Sequence, residues 1–436
     1  MRGNTMKVAV VGSGPSGFYA VEALFAANQD IDVDLYERLP VPFGLVRHGV
    51  APDHPRLKSV ADVFERIAQT PRLGFFGNIE IGRDVLVDEL CDHYDAVLLA
   101  IGASDDRKLG IPGEDLPGIH SANAFVGWYN GHPDYQDTHF DLSQDRAIVV
   151  GLGNVALDVC RILLKPTEAL SGTDITSSAL EALAASKIKE VVLVGRRGPV
   201  EAKFSPKELR EVTEIPEVGV HLDLHDLEVD QPVTPGSVSA KNLEILKSAS
   251  TSRHGTKVCA IKFYHSPEEI TGNHRAERMR FVKRRGSADG NSEQVEIPAG
   301  LIIRSVGYRG ELVKGLPFDD NTGTIPNVDG RVTGVASPVY VAGWIKRGAT
   351  GIIGTNRACS VATVDRLLKD MKDMPRRAKR GAPAIAEILS SRSAYASSYG
   401  HWTRLNELEQ ENGQIRGKPR EKFTRVEEML AAMNRS

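Results

Sequence analysis

Twice in this sequence closely spaced glycines follow a short apolar run and open an apolar, helix-like stretch. The first set is Gly12-Ser-Gly14-Pro15-Ser16-Gly17 after Lys7 to Val11; the second is Gly151-Leu-Gly153-Asn154-Val155-Ala156 after Ile148 to Val150. Glycine at the first position permits a tight turn, and at the second it lets the backbone approach a pyrophosphate. A small residue at the third, Gly17 or Ala156, allows the helix to pack close to the strand. The helix then offers unpaired N–H groups and the positive end of its dipole to phosphate charge. Such residues bind dinucleotides, and two sets call for two of them.

The residues at the end of the next strand distinguish the ligands. Glu37, with Arg38 beside it, closes that strand 25 residues after Gly12. A carboxylate there accepts hydrogen bonds from ribose hydroxyls and repels a 2′-phosphate, so the first site is expected to hold FAD or NAD and not NADP. At the corresponding place after the second set the acid is missing and Gly195-Arg196-Arg197-Gly198 stands instead. Guanidinium groups make bidentate contacts to phosphate, so this site is expected to prefer NADPH over NADH.

These residues need strands and helices to hold them. Lys7 to Val11, Phe18 to Ala27 and Val33 to Tyr36 read as strand, helix and strand; Tyr94 to Ile101 is a further buried strand. Arg146 to Val150, Ala156 to Leu164 and Val191 to Val194 repeat the unit. Lys165 to Ser186 reads as a surface insertion with a short helix. Beyond Gly219 the chain becomes polar and strand-like, with exposed hairpin loops expected at Ser248 to Gly255 and Gly286 to Ser292. Ala299 to Val306 and Val339 to Ala342 are the last apolar strands. The charged tail from Lys369 reads as a helix, a linker and an amphipathic helix at Val426 to Met433, and its run Arg376-Arg377-Ala-Lys379-Arg380 as a solvated face. The expected fold is α/β, with two Rossmann-like dinucleotide-binding domains: an FAD-binding domain in two parts, 1–105 and 334–436 with the helical tail, and an NADP-binding domain at 106–333.

Composition narrows the function classes. A chain of 436 residues is long enough for two or three domains, and a net charge of −3 gives no basic face for nucleic acid. Cys91, Cys160, Cys259 and Cys359 are scattered, without C-x-x-C or metal-ligand spacing, so neither a redox disulfide nor a metal site is expected. No apolar stretch approaches a bilayer span and the apolar start runs into glycines rather than a cleavage site, so no membrane contact and a cytoplasmic location are expected. The residues before Met6 add no recognisable element.

Longer marks are Pro42-Phe-Gly-Leu-Val-Arg-His-Gly-Val-Ala-Pro-Asp-His54, Gly151 to Arg161, Val194-Gly-Arg-Arg-Gly-Pro199, Glu208-Leu-Arg-Glu211 and Gly343-Trp-Ile-Lys-Arg-Gly-Ala-Thr-Gly-Ile-Ile353. Together, over nearly the whole chain, they resemble the adrenodoxin reductase-like ferredoxin–NADP reductases, a branch of the glutathione reductase-type flavoproteins. The resemblance implies FAD contacts from Ser16, Glu37, Leu45 and Val85, with Gly343, Trp344, Gly351, Ile352 and Ile353 beside the isoalloxazine and ribityl chain. It implies NADP contacts from Asn154, Val155, Arg196, Arg197 and Glu208, with Gly351 meeting the nicotinamide end and Arg107 as a further cofactor contact. His54 and Glu211 match a pair that orients and polarises the reacting rings; read from residues alone, they are a turn histidine and an exposed helix acid. The broader flavoprotein pattern ends its last strand with Gly-Asp, whereas Gly343-Trp344 fits the narrower family.

The implied activity is hydride transfer from NADPH to FAD, then single electrons to a ferredoxin-type iron–sulfur protein, by a monomer. Such partners are acidic, which makes Arg284, Arg285 and the Arg376 to Arg380 run candidates for docking. Two other readings compete: an NADPH-dependent flavin monooxygenase or oxidase, and a non-catalytic NADPH sensor.

Overall fold

The first apolar run forms the strand Met6–Val11, and the chain then turns into the helix Pro15–Ala27 and returns as the strand Ile31–Tyr36. In this computed structural model residues 5–27, 30–229, 232–250, 255–284, 293–351, 353–374 and 378–434 are described. The chain divides into two units: Met1–Val50 with His54–Asp105 and Gly307–Ser436, and Ala51–Asp53 with Asp106–Val306.

The first unit is built on a seven-stranded sheet. Its strands Leu73–Phe76, Ile31–Tyr36, Met6–Val11, Ala96–Leu99 and Val339–Val341 run parallel in that order, and an antiparallel pair, Asn327–Val328 and Arg331–Val332, continues it beyond Val339. Alternate side chains of the central strands feed two cores: Val8 and Val10 on one face, Ala9 and Val11 on the other. Both faces are covered, which is why these strands read as continuous apolar runs rather than alternating ones.

Residues 307–333 were expected with the second domain, and they pack with the first unit. The two-residue strands Asn327–Val328 and Arg331–Val332 attach to the edge of its sheet, and they are too short to leave a periodic signal.

The second unit carries six parallel strands in the order Ile119–Ser121, Leu301–Arg304, Arg146–Val150, Glu190–Val194, Lys257–Lys262 and Val218–Leu222. One face packs on helices that include Asn154–Leu164 and Pro206–Thr213. The other packs Ile148, Val150, Val192 and Val194 against Met279 and Phe281 of an antiparallel three-stranded sheet, His265–Thr271, Arg278–Lys283 and Glu293–Pro298.

Three expectations change. The segment 165–186 is not a surface insertion: its helices Glu168–Ser171 and Ser177–Ala184 put Leu170, Ala179 and Leu183 into the core, and the link between them adds Ile175. Ser248 to Ser250 end the helix Val238–Ser250 and do not belong to a hairpin; the loop expected at 286–292 lies outside the described residues. The tail has a third helix, Tyr399–Ile415, that puts Trp402 and Leu405 into the core beside Phe18 and Phe64. Its buried Glu409 receives the fork of Arg47 at 2.9 and 2.5 Å, and Arg47 also lies over the Trp402 ring at 5.1 Å. No helix among the described residues is long and apolar enough to cross a membrane.

Candidate functional site

In the first unit the three glycines of the turn do different work. Gly12 has φ +100, and a Cβ there would lie 2.5 Å from Ala100 O. A Cβ on Gly17 would lie 1.9 Å from Gly12 O, so helix and turn touch backbone to backbone. Among the described residues nothing lies within 4 Å of a Cβ built on Gly14. Two of these glycines are demanded by the fold, and Gly14 leaves open space.

Glu37 is fixed by the turn that precedes it. Ser13 donates to Glu37 Oε2 through its N–H at 2.9 Å and its hydroxyl at 2.7 Å, and Leu39 N–H reaches Oε1 at 3.1 Å. A carboxylate has about four acceptor positions, so beyond these three bonds one position on Oε1 is left over. Arg38, next in the chain, is exposed.

The same unit carries most of the other residues singled out. Pro15 opens the helix, and Ser16 is buried against the turn after the last strand: a Cβ on Gly343, which has φ +73, would lie 2.1 Å from Ser16 Oγ. Trp344 donates to Thr350 O at 3.1 Å and stacks on Tyr308 at 5.8 Å. Arg347 bonds Thr350 O and reaches Asn356 Oδ1 at 2.7 Å, tying the loop that carries Gly351 to the helix Ile353–Lys372. Ile352 lies outside the described residues. Leu45 is 40% exposed on the short helix after Gly44, whereas Val85 is fully buried. His54 is buried and caps the helix Pro55–Lys58, where its carbonyl accepts from Leu57 N–H at 3.1 Å.

Sequence reasoning missed Ser13 and the Phe43-Gly44 crossing. Phe43 donates its N–H to Ser13 O at 3.0 Å with φ +84, and its neighbour Gly44 passes so close to Gly14 that a Cβ on it would lie 3.0 Å from Gly14 Cα. A glycine after an aromatic residue was the available signal, but the partner lies thirty positions away.

The second unit repeats the arrangement. A Cβ on Gly151, φ +138, would lie 2.2 Å from Ser305 O, and one on Gly153 would meet nothing within 4 Å among the described residues. Ala156 is fully buried and Val155 half-buried. Asn154 opens the helix, and its Oδ1 accepts Ser205 N–H at 2.8 Å, which positions the start of the helix Pro206–Thr213. The arginine turn lies against the glycine turn, since a Cβ on Gly195 would lie 2.2 Å from Leu152 Cδ1. Arg196, Arg197 and, apart from them near the start of the unit, Arg107 are exposed.

Glu208 and Glu211 belong to a charge network centred on Arg161, whose side chain is 2% exposed. Arg161 donates to Asp53 at 2.8 and 3.0 Å and to Asp158 at 2.7 Å. Its Nη1 lies 3.7 Å from both Glu208 and Glu211. Lys165 adds a bond to Asp53 at 2.9 Å, and Lys207 lies 3.5 Å from Glu211. Burial draws Asp53 upward, but the bonds from Arg161 and Lys165 hold its carboxyl well below the usual range. For Asp158 burial wins over Arg161 and pushes the carboxyl up to about 6.

The cysteines, scattered in sequence, are not all scattered in space. Cys160 and Cys259 approach to 3.6 Å where the helix Asn154–Leu164 crosses the strand Lys257–Lys262. Both are free thiols with no exposed surface, and burial together with Cys259 pushes the Cys160 thiol up. An inert thiol pair fits that setting.

Comparison with known proteins agrees with this geometry. A family model described as pyridine nucleotide-disulphide oxidoreductase matches residues 6–222. The NADPH-ferredoxin reductase FprA of Mycobacterium tuberculosis is 44% identical over 451 residues, covering 97% of this chain and 98% of that protein. The mitochondrial NADPH:adrenodoxin oxidoreductase of Homo sapiens is 44% identical over 451 residues, covering 98% and 91%. A solved structure of Mycobacterium tuberculosis FprA in complex with NADPH matches with a TM-score of 0.92 at 42% identity, covering 98% of this chain and 99% of that one. Two strand-turn-helix cradles, one answered by an acid and the other by two arginines, at this likeness over almost the full length, mean that the chain belongs to the adrenodoxin reductase-like ferredoxin–NADP reductases.

Proposed function

We propose that this protein is an NADPH–ferredoxin oxidoreductase holding FAD in its first unit and NADP in its second. The observation that carries the reading is the contrast between the cradles: Glu37 follows directly on the strand after the first, and Arg196 and Arg197 come after the strand that succeeds the second. Both nucleotides fit the residues present, because the glycines meant to face phosphate, Gly14 and Gly153, are the ones with open space. Bound FAD supplies the link between a two-electron donor and a one-electron acceptor.

The chain's own residues bind and orient. The turn of Gly12, Gly14, Pro15, Ser16 and Gly17 brings the N-terminus and dipole of the helix Pro15–Ala27 toward the FAD pyrophosphate, and Glu37 accepts from its ribose. Arg38, Leu45 and Val85 complete the FAD side, with Gly343, Trp344, Gly351, Ile352 and Ile353 beside the ring system. On the NADP side Gly151, Gly153, Asn154, Val155 and Ala156 form the phosphate cradle, and Arg196 and Arg197 hold the 2′-phosphate, with Glu208 and Arg107 as further contacts. We assign His54 and Glu211 to orientation and electrostatics at the reacting rings. Arg161 keeps Glu208 and Glu211 beside a permanent positive charge.

The relatives' names give the acceptor as an iron–sulfur electron carrier of the ferredoxin or adrenodoxin class, and the same is proposed here, for a monomer in the cytoplasm. For docking, Arg284 is among the described residues, whereas Arg285, Arg376 and Arg377 are not. In the tail run Lys379 bonds Cys91 O at 2.8 Å and Asp92 O at 3.0 Å, which holds the tail in place, and Arg380 bonds Glu387 within the tail. The test is the anaerobic visible spectrum before and after one equivalent of NADPH or of NADH. A flavin band that bleaches faster with NADPH supports the reading. A protein without a flavin band even after FAD is supplied overturns it, and rapid oxygen uptake without a protein acceptor points to an oxidase.

A further inference from the structure

The strand Lys257–Lys262 runs beside Glu190–Val194, and the residues just after it bond to the arginine turn. Gly195 N–H donates to Lys262 O at 2.9 Å, His265 N–H to Gly195 O at 2.9 Å, and Tyr264 N–H to Arg197 O at 3.2 Å. Tyr264 has φ +62, a left-handed conformation that a bulky L-residue rarely adopts and that persists only where the surroundings impose it. The conformation sets its ring against Gly198, where an added Cβ would lie 2.3 Å from Tyr264 Oη and 2.7 Å from Cζ. Gly198 itself has φ −76, which any residue adopts, so the backbone does not demand glycine there and the Tyr264 ring does. At the other end of the turn Gly195 lies against Leu152. The turn is thus fastened at both ends while Arg196 and Arg197 between them stay exposed.

We infer that Tyr264 is a specificity-determining positioning residue, holding the turn so that the two guanidinium groups are already placed for a 2′-phosphate. Bidentate pairing rewards such placement, since a preformed fork does not pay the ordering cost on binding. The inference rests on the assignment of Arg196 and Arg197 to that phosphate.

The experiment compares kcat and KM for NADPH and NADH in holoenzymes carrying Tyr264→Asn, Tyr264→Phe and Arg197→Ala. Asparagine tolerates the left-handed backbone and removes the ring. Tyr264→Asn is expected to raise the KM for NADPH on the order of tenfold, as loss of one hydrogen bond to a charged group does, with kcat and the NADH constants unmoved. Tyr264→Phe, which keeps the ring, is expected to restore the NADPH/NADH ratio. If Arg197→Ala lowers that ratio and Tyr264→Asn does not, this inference is overturned and the arginine assignment stands. If neither moves the ratio, the assignment fails and the inference with it. Should Tyr264→Asn give no holoenzyme, Gly198→Ala displaces the same contact from the other side, and unchanged discrimination in that variant overturns the inference.

Discussion

Asp53→Asn tests how much of the second unit depends on the Arg161 network. Asp53 accepts two bonds from Arg161 and one from Lys165, at 2.8, 3.0 and 2.9 Å, and the Asp53 and Arg161 side chains are 7% and 2% exposed. Removing one member of a buried pair costs about 3–5 kcal/mol, because the other is left uncompensated. Here Arg161 keeps Asp158 at 2.7 Å and has Glu208 and Glu211 at 3.7 Å, so the cost falls at the low end, about 3 kcal/mol. The pH dependence fixes the sign. The folded pKa of Asp53 lies below its unfolded value, so its contribution is complete above the unfolded pKa near ~4 and is lost as pH falls through the folded one. Asp158 acts oppositely: with a folded pKa of about 6, its ionisation lowers stability as pH rises from the unfolded value through 6. The assay is urea unfolding between neutral and acid pH, with the buried Trp128 as this unit's fluorescent reporter. Asp53→Asn is expected to lose about 3 kcal/mol at neutral pH, with the deficit shrinking in acid, and Asp158→Asn to lack the wild type's gain on going from pH 7 to pH 5. A deficit under about 1 kcal/mol at neutral pH, the value for an exposed pair, or one that widens in acid, refutes the reasoning.

Gly14→Ala should fold with stability within about 0.5 kcal/mol of wild type, as substitutions into open space do, yet purify with less flavin; Gly17→Ala, whose Cβ would sit 1.9 Å from Gly12 O, should fail to give folded protein. Equal melting temperatures for the two would contradict this division between binding and structural glycines. Glu409→Gln removes a carboxylate with no exposed surface that serves Arg47, Arg420 and Phe423 N–H, and the urea midpoint should fall by the equivalent of about 3 kcal/mol or more. Turnover with an acidic iron–sulfur acceptor should fall steeply with salt while turnover with a neutral dye does not; parallel salt curves would remove the case for a basic docking face.

Much of the fold could be read from residues whose partners are near in sequence. The strand Arg146–Val150 and the helix Val426–Met433 stand where the apolar periodicity puts them. The helix Tyr399–Ile415 was illegible for a physical reason: its buried positions are Trp402, Leu405, Glu409 and Gly413, so half the inward stripe is not apolar. Glu409 is buried because Arg47 meets it from 362 positions away, together with Arg420 and Phe423 N–H. The helix Val238–Ser250 buries only Asn242, Leu243 and Leu246, and serine and asparagine are weak helix formers. At the sites, residue types and spacing gave the glycines, the acid and the arginines. Their supports were hidden, because Ser13 holding Glu37, Arg347 reaching Asn356 and the network around Arg161 depend on tertiary approach.

The split sheet of the first unit bears on how the chain acquires its shape. Val339 pairs with Val97 in that sheet, whereas the second unit, apart from Ala51–Asp53, is the continuous stretch Asp106–Val306. During synthesis the strands Met6–Val11, Ile31–Tyr36, Leu73–Phe76 and Ala96–Leu99 emerge first but cannot complete their sheet, and the edge of Ala96–Leu99 stays uncovered until residues 339–341 arrive. Local pairings close early and distant ones late. The stretch made in the middle therefore condenses before the one made first, and a nascent chain stalled short of residue 339 presents a bare apolar strand edge, the feature from which aggregation starts.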